Sequence, residues 1–231
     1  MNQSFILDGK GAFMPTRINT IAEAATKLFL QQGYAKTQIS HIAKRVGVSV
    51  GTIYLDFTGK KEIMQFILKC TIDPQFGEGE FERPITDKLF HGLEDEIVNL
   101  FAESGESFAS HLDDSGYHLG TLVSDAFDLL AKYAVGCLFI EKNYFDFPYL
   151  NQHYREYRKK FFQTMCQYLS AFIERGEVRP LEHLELTTTL IIETLSWWAM
   201  DMRYTSFETH TIPLETAKAV CLDNILSAYK K

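Results

Sequence analysis

The sequence predicts an all-α protein with a three-helix, helix-turn-helix head followed by a larger helical bundle, about nine or ten helices in total. Three observations carry this prediction. Apolar residues recur at helical spacing through most of the 231 residues, and no β-type alternation of any length interrupts them. The stretch Thr37 to Lys61, TQISHIAKRVGVSVGTIYLDFTGKK, reads as two short helices joined at a glycine, followed by the start of a third. The charge also divides sharply. Residues 1–70 carry nine Lys/Arg against four acids (+5), while the rest of the chain carries −12, for an overall −7. A basic head on an acidic body suits phosphate attraction at one end and rejection of DNA elsewhere.

Residues 1–15 hold two glycines, a proline and little periodicity, and read as a flexible arm. Lys10 there either touches a phosphate or the minor groove or belongs to a tail without function. From Thr16 a helix is clear, because Ile18, Ile21, Ala22, Ala25, Leu28 and Phe29 form one apolar stripe that Gly33 ends. Thr37 is the expected N-cap of the next helix, whose inner face is Ile39, Ile42, Ala43 and Val46. Gly47 stops it, Val48 plugs the angle, and Ser49 caps a second short helix. In that helix Ile53 and Phe57 point inward. Gly51, Thr52 and Leu55 point away, and Tyr54 lies on the flank. A short helix with a small, polar outer face, held at an angle by a buried partner, is what entry into a major groove requires. Lys60 opens a further helix through Ile63, Phe66, Ile67 and Cys70, and its first amides with Lys60 form an anion site.

Asp73 to Arg83, DPQFGEGEFER, reads as a loop or linker, which places the head at 16–72 and an all-α body at 73–231. A helix is expected to resume after Pro84 with Leu89, Leu93, Ile97, Leu100 and Phe101 as its core stripe, and His111–Gly116 breaks it. Leu119 to Asn143 is helical and divided into two pieces. Pro148 starts a long helix (Leu150, Tyr154, Tyr157, Phe161, Met165, Tyr168, Leu169, Phe172) that ends at Arg175-Gly176. His183 to Tyr204 is apolar on more than one face, so it must be buried on more than one side, and Leu214 to Tyr229 is the final helix.

Several classes of function find no support. No run approaches the ~18 apolar residues of a membrane helix, and the first fifteen residues do not form a secretion signal, so the expected location is the cytoplasm, with no membrane partner. Cys70, Cys137, Cys166 and Cys221 are too dispersed for a zinc knuckle or a redox pair and read as buried, reduced thiols. His111, Asp113, Asp114 and His118 are the one cluster that suggests a metal site, but their Asp-Asp-Ser-Gly core has the composition of a solvated turn. No GxSxG, HExxH, P-loop or GxGxxG motif is present, so neither enzymatic activity nor a cofactor or metal is expected.

Thr37, Ile42-Ala43, Gly47-Val48-Ser49, Gly51-Thr52-Ile53-Tyr54, Phe57 and Lys60 stand in register as they do in TetR-family transcriptional regulators, which this stretch resembles. The resemblance covers about fifty residues, from Arg17 through the motif. It implies a DNA-binding regulator, most often a repressor, that binds a palindromic double-stranded operator as a homodimer and is released by a small-molecule effector. It implies that Val50, Gly51 and Thr52 face base edges, while Thr37, Ser49, Tyr54 and Lys60 hold phosphates. Thr37 and Ser49 can also serve simply as caps, and Tyr54 as core. Asp56 departs from the family, which often has His or Tyr there. A carboxylate beside the phosphate path repels DNA unless Lys60 or Lys61 neutralises it, so Asp56→Asn is expected to tighten binding. The segments around 150–175 and 183–204 are the expected dimer interface.

In this family the body encloses an effector pocket. The aromatic residues Tyr133, Phe139, Phe162, Tyr168, Trp197 and Trp198 suit an apolar or aromatic molecule, and Tyr133, Phe139, Phe162 and Trp198 are the candidate lining. Rings at helical spacing are more often what a plain core requires. The alternative to a regulator is an all-α carrier or enzyme whose small head mediates protein contacts.

Overall fold

The computed structural model describes residues 16–206 and 212–231. The arm at 1–15, with Lys10, lies outside the described residues. The α-helices are α1 (Arg17–Gln32), α2 (Ile39–Val46), α3 (Val50–Asp56), α4 (Lys60–Ile72), α5 (Leu93–Ala109), α6 (Leu119–Lys132), α7 (Ala134–Lys142), α8 (Pro148–Glu174), α9 (Leu184–Ser196), α10 (Met202–Tyr204) and α11 (Leu214–Tyr229). Short 3-10 turns stand at Phe76–Glu78 and Asp87–Phe90. A π-helical stretch, Trp197–Asp201, separates α9 from α10. The all-helical class and the division of 119–143 into two helices agree with the sequence reading. The described residues form two compact units, one of residues 16–97 and 135–148, the other of 98–134, 149–206 and 212–231.

The first unit is built on the α1 stripe. Thr16 caps α1, its hydroxyl accepting from the Asn19 amide at 3.3 Å. Ile18, Ile21, Ala25 and Phe29 are buried with Ile42 of α2, Ile53 of α3, and Phe57, Ile63 and Phe66. The C-caps of α1 and α2, Gly33 and Gly47, have φ of 92° and 82°, where a Cβ would clash with the backbone.

Residues 73–90 are not a free linker. Phe66, Phe76, Phe81 and Phe90 pack ring against ring with centroids 5.1–6.2 Å apart, and the Asn19 side chain donates to the Gly77 carbonyl at 3.2 Å. Ile85 then pairs alongside Phe57, its amide donating to the Asp56 carbonyl at 2.8 Å and its carbonyl accepting from the Thr58 amide at 3.0 Å. Helix resumes later than expected, and Leu89, expected in the core stripe, is exposed. The unit that holds the head therefore runs to Ile97, past the boundary at residue 72 that composition alone suggests.

In the second unit α6 buries Leu119, Leu122, Val123, Ala126, Phe127 and Leu130. Leu150, Tyr154, Phe161, Met165, Tyr168, Leu169 and Phe172 are the buried stripe of α8, as the spacing predicts. Ile191, Ile192 and Leu195 of α9, Ala199 and Met200 of the π stretch, and Cys221 and Ile225 of α11 complete the interior. Polar fasteners close the ends. Glu177 accepts from the Leu119 amide at 2.8 Å, and Arg175 donates to the Tyr117 carbonyl at 2.9 Å. The Tyr168 hydroxyl donates to the Phe108 carbonyl at 2.7 Å. Tyr117 donates to Asp125 at 2.9 Å, and its burial together with that carboxylate pushes the phenol well above its ordinary pKa. His111 stacks on Tyr117 and His118 faces Glu177. Among the described residues, no group of three or more His, Cys, Asp or Glu is gathered as a metal would need, and no helix is long and apolar enough to cross a membrane.

Candidate nucleic-acid interface

The recognition surface begins with how α3 is held. Ile53 and Phe57 are fully buried, so the other side of the helix must face out. Val50 and Gly51 are exposed, Thr52 is half-buried, Tyr54 is 48% exposed and Leu55 is 64% exposed. Ser49 is the N-cap, its hydroxyl accepting from the Thr52 amide at 3.1 Å and lying 2.9 Å from the Thr52 hydroxyl. Among the described residues this outward ridge of valine, glycine, tyrosine and leucine is small near Ser49 and larger toward Tyr54. A Cβ added at Gly51 would meet only the Ser49 hydroxyl, at 3.7 Å, so glycine there is a matter of surface shape and not of backbone strain.

Two of the residues expected to hold phosphates also have hydrogen-bond partners within the chain. Thr37 is 1% exposed; its hydroxyl donates to the Gly33 carbonyl at 2.8 Å and accepts from Gln32 at 3.1 Å. It ties the α1–α2 turn together, and the N-cap of α2 is Gln38 rather than Thr37. Lys60 donates to the Tyr34 carbonyl at 2.8 Å, with its ammonium 4.1 Å from the centroid of the Tyr34 ring. Burial holds the Lys60 pKa below its ordinary value, while Asp146 works in the opposite direction. Tyr34 is further fixed by Asn143, whose side-chain oxygen accepts from the Tyr34 amide at 2.7 Å, and by ring contacts with Phe29, Phe139 and Phe147.

Asp56 is the clearest correction. Its carboxylate is not on the phosphate path: the residue is 0% exposed and turned inward, one helical turn from Ile53. Arg17 grips it with two N–H groups, the Nη2–Oδ1 distance being 2.9 Å, and Arg83 reaches Oδ1 at 3.1 Å. Neither Lys60 nor Lys61, the neutralisers that chain proximity suggests, takes this part. The i, i+3 spacing from Ile53 to Asp56 is the readable sign that position 56 faces in. No local pattern points to Arg83, far along the chain beyond α4.

The four residues named for an effector pocket are divided between the two units. Phe139 is buried in the first unit against Phe29, Tyr34 and Phe147. Tyr133, Phe162 and Trp198 belong to the second unit, each half-buried.

Comparison with known proteins gives this geometry a context. The family described as bacterial regulatory proteins, tetR family, matches residues 21–66. The HTH-type transcriptional regulator HbdR of Aromatoleum sp. (strain CIB) is 39% identical over 92 residues, 40% of this chain and 38% of that protein. The fatty acid metabolism regulator protein of Bacillus subtilis (strain 168) is 43% identical over 49 residues, 21% of this chain and 25% of that protein. The chain thus spans well under half the length of these curated relatives. Over the whole fold, the chain is similar to the ketosteroid transcriptional regulator KstR2 of Mycobacterium tuberculosis, with a TM-score of 0.55 at 17% identity, covering 96% of this chain and 98% of that one.

Proposed function

We propose that this chain, whose residues 21–66 match the family described as bacterial regulatory proteins, tetR family, is a transcriptional regulator that binds a palindromic operator as a homodimer, represses from it, and is released by a small molecule. The observation that carries the reading is the state of α3: anchored by Ile53 and Phe57, capped by Ser49, and presenting Val50, Gly51, Thr52 and Tyr54 to solvent. Val50 and the Thr52 methyl meet thymine methyls, Gly51 admits close approach of the backbone, and Ser49 and Tyr54 hold phosphates and set register. One such helix reads only a few base pairs, so two copies and a symmetric site are required.

For the dimer, the surface chemistry favours α9 with α11 over the helix at 150–175. The outer face of α8 is Gln152, Arg155, Glu156, Lys159, Lys160 and Gln163, all exposed and polar. Leu186, Leu190 and Trp197 are exposed along α9 and its extension, and Val220 on α11, a pattern suited to an isologous four-helix contact.

Effector response is supported by the chain path. Residues 135–148 are part of the compact unit that holds the head, and they grip it through Asn143, Phe139 and Phe147. The same segment is continuous with α6 on one side and α8 on the other. A ligand that shifts the ends of those helices acts directly on Tyr34 and Lys60 at the start of α4.

Selection of bound duplexes from a random pool tests the proposal. The expected product is a dyad-symmetric sequence. Enrichment of nothing at moderate salt would overturn the reading.

A further inference from the structure

The end of α3 nearest Asp56 holds two cations on one buried anion. Asp56 accepts two N–H groups of Arg17 and forms an ion pair with Arg83, whose Nη1 lies 3.1 Å from Oδ1, and its own side chain is closed to solvent. The two arginine side chains are 42% and 45% exposed. Each guanidinium has five N–H donors, so most of them remain outside the pairing with Asp56. The cluster carries a net positive charge, fixed in place at the C-terminal end of the recognition helix.

That placement is not left to flexible side chains alone. Arg83 is two residues before Ile85, whose amide donates to the Asp56 carbonyl and whose carbonyl accepts from both the amide and the hydroxyl of Thr58, at 3.0 and 3.1 Å. The segment after α4 is thus locked to the residues that end α3, and Arg83 is set beside Arg17, the first residue of α1. At the other end of the helix-turn-helix, Lys44 and Arg45 are exposed in the last turn of α2. Seven residues of α3 rise about 10 Å, close to the roughly 12 Å width of a major groove, so cations beyond each end of the helix fall where the two phosphate strands run. Thr37 is buried and donates to the Gly33 carbonyl, and Lys60 donates to the Tyr34 carbonyl, so the exposed guanidinium groups of Arg17 and Arg83 are further cations available beside α3.

We infer that Arg17 and Arg83 form a paired guanidinium clamp on an operator phosphate, with Asp56 as the buried residue that positions both. The inference rests on the DNA-binding reading above and adds a contact from outside the matched region: Arg83 lies beyond residues 21–66. Planar guanidinium groups match phosphate geometry better than a lysine point charge, and preorganisation by Asp56 lowers the entropy lost on contact.

The test uses the full chain and two duplexes, one recovered by selection and one of random sequence, with affinity measured by fluorescence anisotropy between about 50 and 300 mM KCl. Arg83→Gln and Arg17→Gln each reduce the slope of log K against log salt by about 0.9 per head, which corresponds to roughly eightfold weaker binding per head at 0.1 M relative to 1 M salt. The ratio of affinities for the two duplexes stays within about twofold, because a phosphate contact carries no sequence information. Arg83→Lys keeps the slope. Asp56→Asn, despite adding a positive charge, binds no more tightly than the wild type. Circular dichroism melts confirm that each variant is folded. If Arg17→Gln fails to fold, Arg83→Gln alone decides. A wild-type slope in folded Arg83→Gln overturns the clamp, and tighter binding by Asp56→Asn overturns the positioning role. A wild-type chain that binds neither duplex overturns the function proposed above instead.

Discussion

Replacing Asp56 by Asn changes one charge and almost no volume, and it separates two accounts of that residue. If Asp56 faced the phosphates, the change would help DNA binding and leave the fold alone. In the structure the carboxylate is 0% exposed and holds Arg17 and Arg83 together. A hydrogen bond to a charged group contributes roughly 1.5–3 kcal/mol, and removing one partner of a fully buried pair costs about 3–5 kcal/mol. Both arginines here stand half in water and can resolvate, which lowers the cost to about 2 kcal/mol. For a domain of about 100 residues that is on the order of 10 °C in melting temperature. The assay can resolve the units, since both tryptophans, Trp197 and Trp198, lie in the second one. Far-UV circular dichroism reports all helices, while tryptophan fluorescence reports the second unit. The expected result is an earlier circular dichroism transition in Asp56→Asn. Superimposable dichroism melts of variant and wild type would refute the buried-clamp reasoning.

Three further outcomes follow from the geometry. Gly51→Ala places a methyl group in ordinary van der Waals contact with the Ser49 hydroxyl at the head of α3, so it should stabilise the chain by up to about 1 kcal/mol through helix propensity while altering the sequence recovered by duplex selection; an unchanged site would remove Gly51 from the base-reading surface. Leu190→Glu puts a charge on the exposed apolar stripe of α9, and sedimentation should then show a monomer at concentrations where the wild type is a dimer; a persistent dimer would place the interface elsewhere. Burial pushes the Cys70 thiol from 9.0 up to about 12, so between those values the folded chain binds more protons than the unfolded one, and stability falls as pH rises. That loss is about 1.4 kcal/mol per pH unit at its steepest, and guanidinium titrations from about pH 8 to 11 should show a shallower decline for Cys70→Ala; parallel declines would mean that Cys70 does not contribute.

What is legible in the sequence is whatever is decided within a turn or two of helix. The α1 stripe from Ile18 to Phe29, the Gly47 stop, the Ser49 cap and the inward pair Ile53 and Phe57 all follow from spacing and local capping chemistry. So does the α8 stripe, because its apolar positions repeat over 27 residues. What the sequence does not show is decided at long range. Lys60 sits at a helix N-terminus, where a phosphate role is natural, yet Tyr34 captures it from 26 residues away. The chain neighbours of Asp56 point to Lys60 and Lys61, while its partners are Arg17 and Arg83. The Gly-rich, acidic run at 73–83 has the composition of a linker, but Phe76, Phe81 and Ile85 find the aromatic and backbone partners that hold it to the head. Phe139 carries the same aromatic signal as a pocket residue, and its contact with Phe29, which packs residues 135–148 against α1, has no trace in the local sequence.

The most direct measurement of the central claim is hydroxyl-radical footprinting of the full chain on the duplex it selects. The account predicts two equal protected patches related by a dyad, on one face of the helix, with centres separated by about one turn or a multiple of it, roughly 34–36 Å per turn. A single unpaired patch, or uniform protection along the duplex, would contradict a homodimer reading its operator through α3.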